Sequence, residues 1–156
     1  GRYVGSNPTY NGALLESAVG PVLEASYIVM GPVSEYGSTT DAHVALQTAV
    51  PEPANEGVTY GWMMSYPLLD ILNAAYDAGD LTPEGVLAAA TSTVVNYEGA
   101  LPDLDLAGTP AEQEVRVNSI GAPSADGITG LVTLEESFGG DVAANYAFDE
   151  PCFNLS

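Results

Sequence analysis

Apolar residues arrive in short runs punctuated by glycine and proline, and the runs alternate between strand and helix periods. Residues 2–5 read as a short strand that stops at Gly5. Ser6, Asn7, Pro8, Thr9 and Tyr10 form a polar, rigid loop. Asn11 or Gly12 then opens a helical pattern carrying Leu14, Leu15, Ala18 and Val19, which Gly20-Pro21 is expected to stop. Residues 25–33, "ASYIVMGPV", are the most continuously apolar strand candidate, the kind buried on both faces of a parallel sheet covered by helices. "SEYGSTT", 34–40, is a polar connector, and Thr40 can cap a short helix over 41–49. "VPEPANEG" is a loop by its prolines and glycine.

The strongest helical pattern is 62–78, with Leu68, Leu69, Ile71, Leu72 and Ala75 at helical spacing. Pro67 marks either its regular start or a kink, and Gly79 fits the residue just past its end. Thr82-Pro83-Glu84 restarts a helix to about Ala90 or Thr91, with threonine as N-cap, proline in the first turn and glutamate at the positive dipole end. Beyond Tyr97, "EVRVNSI" and "ITGLVTL" read as strands separated by Gly121-Ala122-Pro123, and "ANYAFDEPCF" is an aromatic tail pinned to a core. The order strand, helix, strand, helices, strands predicts an α/β fold.

Charge narrows the partners. The 156 residues hold 21 acidic side chains, two arginines and no lysine, a net charge of −19. That repels phosphate backbones, so nucleic acid is excluded as a partner, and docking on anionic lipid is disfavoured. Cys152 has no second cysteine to pair with, and His43 has no neighbour at metal-ligand spacing, so no metal or other cofactor is read from the sequence. A catalytic reading lacks a G-x-S-x-G elbow. Pairs of carboxylates leave a small acidic hydrolase as an alternative.

Four stretches together resemble the C-terminal part of a type I solute-binding protein, the branched-chain amino-acid-binding-like receptors of ABC importers: "YVGSNPTYNGALLESAV", "ASYIVMGPV", "VTYGWMMSYPLLDILNAAYDAGDLTPEGVLAAA" and "VNYEGALPDLDLAG". The resemblance covers roughly residues 2–105. It implies part of a two-lobe fold whose Rossmann-like lobes are joined by hinge strands, with the N-terminal half outside this sequence as a partner. By that resemblance 1–33 and 113–148 belong to lobe two, 34–40 is a hinge connector, 41–95 a lobe-one helical segment, 96–112 a return connector and 149–156 a tail. The ligand would be a small polar organic molecule, an amino acid or related carboxylate or amide. A membrane permease would be the second partner, and the protein would be extracellular or periplasmic, tethered as a lipoprotein. A ligand-sensing receptor ectodomain of the same fold is the alternative.

The resemblance puts Asn7, Pro8, Thr9 and Tyr10 on a loop at the interlobe cleft, where ligands of open α/β sheets sit. Tyr60 and Trp62 would stack on the ligand from the following helix, and Ser34 and Tyr36 would lie in an unpacked hinge. Family members that bind amino acids carry an acid on the first of these loops, and this sequence has Asn7 near that place.

Overall fold

The computed structural model describes residues 1–6, 9–107 and 118–145. The strands are β1 (Tyr3–Ser6), β2 (Tyr27–Gly31), β3 (Val94–Val95), β4 (Leu104–Asp105), β5 (Asn118–Pro123) and β6 (Leu131–Phe138). The helices are α1 (Gly20–Ser26), α2 (Asp41–Ala49), α3 (Gly57–Asp77), α4 (Pro83–Ala90) and α5 (Asp141–Ala144).

β1, α1 and β2 form a β-α-β unit, with Tyr3 opposite Tyr27 and Ser6 opposite Met30 in parallel register. β5 then runs antiparallel to β2, and β6 antiparallel to β5, giving a four-stranded sheet in the order β1-β2-β5-β6. The sheet is therefore mixed rather than wholly parallel. β2, its most apolar strand, takes an inner position and buries Val29.

Thr40 caps α2 through the backbone N–H of His43, and Thr82 caps α4 through that of Gly85, with Pro83 in the first turn. Gly79 ends α3 at φ +73°, in the left-handed region that glycine tolerates.

Two boundaries differ from the sequence reading. Gly20-Pro21 starts a helix instead of stopping one: residues Gly12–Glu16 make only a 3-10 turn, and Pro21 falls in the first turn of α1, where its missing N–H costs nothing. α3 begins five residues before 62, because Asn55 accepts the Gly57 N–H at 2.9 Å and turns the preceding loop into a helix start. It then continues through Pro67.

α2, α3 and the β3-β4 ribbon close over a core of Val33, Ala42, Met63, Tyr66, Val95, Tyr97 and Ala100. The outer side of α3 presents Met64, Leu68, Leu72 and Tyr76, one every four residues. No helix among the described residues is long and apolar enough to cross a membrane.

Candidate ligand-binding cleft

Three segments meet around a cavity of about 850 Å³. The first follows β1 and contributes Tyr10, Asn11 and Leu15. The second is the start of α3, with Asn55, Glu56 and Tyr60. The third is the β5-β6 turn, with Ile128, Thr129 and Gly130. The first loop leaves the carboxyl end of β1, whereas the β5-β6 turn lies beside the amino ends of β1 and β2, because β5 runs antiparallel with Gly121 opposite Val29, so the first loop folds back to reach the turn.

The first loop is stapled to the third. The Tyr10 hydroxyl donates to the Gly130 carbonyl at 2.5 Å, an oxygen that also accepts the Ser124 N–H at 3.1 Å. Gly130 holds φ +86°, and a Cβ there would lie 3.0 Å from the Gly12 Cα. A Cβ on Gly12 would lie 2.9 Å from the Thr129 carbonyl oxygen. Two backbones therefore pass with no room for a side chain. Glu24 of α1 anchors the turn from beneath by accepting the Ala125 N–H at 2.7 Å.

Tyr10 also stacks on Tyr27, ring centroids 6.4 Å apart and planes 27° from parallel. Burial, with Glu24 and Glu56 nearby, pushes its pKa up to about 12, so it remains a hydrogen-bond donor.

Glu56 ties the helical part of the chain to the sheet. Its Oε2 accepts the Thr129 hydroxyl from the β5-β6 turn and the Tyr36 N–H, the latter at 3.5 Å. Burial raises its carboxyl pKa above the ordinary 4.5, against the pull of these donors and of the Thr59 hydroxyl. Thr59 is itself fully buried and faces the carboxylate without reaching hydrogen-bond geometry. Burial and the Glu56 charge also raise the pKa of Tyr60.

A folded-state carboxyl with a raised pKa holds its proton more tightly than the unfolded chain does. It adds stability fully below pH 4.5, and that contribution is lost as pH rises through the folded value. Glu56→Gln keeps an acceptor for Thr129 and removes the half-buried charge. The variant is therefore expected to melt at or above the wild-type temperature at pH 7.5, with its advantage shrinking towards pH 4.5. Thermal melts at the two pH values check this, and a variant that melts lower at pH 7.5 contradicts it.

Of the residues expected at the site, Tyr10 and Tyr60 line the cavity together. Thr9 does not. Its hydroxyl donates to the Ser6 carbonyl at 2.6 Å and receives the Tyr27 hydroxyl at 2.7 Å, so it braces the loop from behind. Trp62 lies against the Met63–Tyr66 core instead. Two residues along a helix are about 200° apart, so Tyr60 and Trp62 cannot both face one cleft. Asn7 and Pro8 lie outside the described residues, as do Arg116 and Cys152.

The expected unpacked hinge is instead packed. Ser34 and Tyr36 are buried, the Tyr36 hydroxyl donates to the Val50 carbonyl at 2.5 Å, and Gln47 donates to the carbonyls of Tyr36 and Ser38. The polar groups of Tyr36 and Ser38 bond within the protein, to Gln47, Val50, Glu56 and Thr133. His43 is likewise interior, its Nε2 3.2 Å from the Ser34 carbonyl and its Nδ1 2.7 Å from the Thr40 hydroxyl. A carbonyl only accepts, so Nε2 carries the proton and Nδ1 accepts from Thr40. No cluster of three or more His, Cys, Asp or Glu side chains suited to a metal occurs among the described residues.

Sequence reading missed Glu56, Thr129 and Asn11. Glu56 stands in a proline-rich loop whose composition signals only turns, and its partners lie 73 and 20 residues away along the chain.

No family model and no curated protein matches the sequence. Among solved structures, a fatty acid ABC transporter substrate-binding protein from Thermomonospora curvata matches with a TM-score of 0.78 at 22% sequence identity. The match covers 93% of this chain and 38% of that one. The chain thus spans well under half the length of the protein it resembles, and it has the α/β fold of part of an ABC-transporter substrate-binding protein.

Proposed function

We propose that this chain is part of an extracellular or periplasmic solute-binding protein of an ABC importer. It captures a small organic ligand between two lobes and delivers it to a membrane permease. The observation that carries this reading is the cavity of about 850 Å³ at the junction of the β1-α1 loop, the β5-β6 turn and the start of α3. Its volume lies in the range of small-molecule sites, and its lining mixes aromatic and aliphatic walls with a few polar groups. The fold likeness to a transporter substrate-binding protein supports the same reading. In it, segments 1–33 and 113–148 belong to one lobe and 41–95 to the other, with Glu56 and Tyr36 at the junction. The apolar outer side of α3 fits burial against further segments of such a fold, as does the 38% coverage of the neighbour.

Isothermal titration calorimetry on the intact protein, against ligands found by a thermal-shift screen of small metabolites, tests the proposal. Tyr10→Ala and Tyr60→Ala are each expected to weaken binding by about 1–3 kcal/mol, as for truncation of an aromatic contact residue. Unchanged affinity in both variants would remove the ligand from this cleft.

A further inference from the structure

A fatty acid, the ligand named for the structural neighbour, would bring a carboxylate to the cleft. The charges here oppose it. Glu16 and Glu56 line the cavity, and Glu24 and Glu35 lie close enough to act on Tyr10 and Glu56 respectively. Among the described residues no lysine or arginine lines it. The chain has no lysine, Arg2 is not among the lining residues, and Arg116 lies outside the described ones. A helix start would ordinarily attract an anion. The start of α3 is already occupied: Asn55 Oδ1 takes the Gly57 N–H at 2.9 Å, the Asn55 carbonyl takes that of Val58 at 3.3 Å, and the Glu56 carbonyl takes that of Thr59 at 3.1 Å.

The positive complement is also present. The hydrogen bonds from Thr129 and Tyr36 both end on Glu56 Oε2, so neither uses Oε1. Tyr10 and Tyr60 supply electron-rich ring faces, which attract cations, and Leu15, Ile128 and Leu131 give the apolar body of a ligand somewhere to lie. We infer that this cleft selects a ligand with a protonated amine on an apolar body and disfavours carboxylates, with Glu56 as the counter-charge and Tyr10 and Tyr60 as aromatic walls. This rests on the solute-binding reading and narrows it to a substrate class. A half-buried carboxylate that loses part of its water without a cationic partner carries a cost. A bound ammonium supplies that partner, so loading and stabilisation go together.

The test is calorimetry on the intact protein at pH 7.5 and low salt with three probes of one chain length: hexylammonium, hexanamide and hexanoate. Hexylammonium is expected to bind at least about tenfold tighter than hexanoate, as a close charge-assisted contact allows. The preference should largely vanish in Glu56→Gln. Glu16→Gln, at an exposed rim position, serves as a second variant should Glu56→Gln not fold, and is expected to reduce the preference about threefold through a screened interaction. Hexanoate binding as tightly as hexylammonium, and losing affinity in Tyr10→Ala, overturns the amine inference and leaves the solute cleft standing. If none of the three binds, this inference falls. If the metabolite screen also finds no ligand sensitive to Tyr10→Ala, the solute-binding reading falls with it.

Discussion

Replacing Met63 with alanine is expected to destabilise the folded chain by about 2–5 kcal/mol, measured by denaturant unfolding. Met63 is 2% exposed and belongs to the cluster that joins α2, α3 and the β3-β4 ribbon. Its neighbours Val33, Ala42 and Val95 are short side chains on separate elements and cannot all move in to fill the space. Met64, the next residue, is 77% exposed. Met64→Ala removes the same atoms from water-facing surface and should stay within about 0.5 kcal/mol of wild type. Equal effects in the two variants would mean that the helical layer is not packed around Met63.

His43→Leu is expected to cost about 1–3 kcal/mol at pH 7.5, because it keeps the volume and orphans the buried Ser34 carbonyl. The variant should also differ from wild type in how it responds to acid. Burial lowers the His43 pKa below its ordinary 6.5, with the Ser34 carbonyl and the Glu136 charge resisting the shift. The unfolded chain therefore takes up this proton first. The stability that neutral His43 provides is complete above pH 6.5 and is lost as pH falls from there to the folded value. His43→Leu removes that slope. Glu56 and Glu35, whose raised pKa values act in the opposite sense, remain in both proteins and cancel in the comparison. Parallel unfolding titrations between pH 7.5 and 5 check this. A wild type and variant that lose stability in step would place the acid sensitivity elsewhere.

What could be read in the sequence was what short stretches decide for themselves. Thr40, Thr82-Pro83 and Gly79 act within one helical turn, and each sits where its chemistry requires. β2 was legible because five consecutive residues suit the middle of a sheet. Gly20-Pro21 was misread because the same pair ends one helix and begins another equally well. The deciding fact is where the chain goes next, here into a β-α-β return. At the cavity, Tyr10 and Tyr60 were named only through the resemblance to solute-binding proteins. Glu56 was not, because nothing local distinguishes a glutamate that will be half-covered and bonded by Thr129 from one that will face water.

The contact between Gly12 and Gly130 also bears on redesign of the cleft as a biosensor. At that contact main chain faces main chain, and the Tyr10 hydroxyl holds the two together. A library that varies these two positions would mostly return wedged, misfolded proteins, since each new Cβ meets main-chain atoms at 3.0 Å or less. Ligand scope is adjustable from the walls, at Leu15, Tyr60 and Ile128, whereas Tyr10 must keep the hydroxyl that ties the two loops together. An engineer working on this molecule would hold the two glycines and Tyr10 constant and spend every degeneracy on the other three codons.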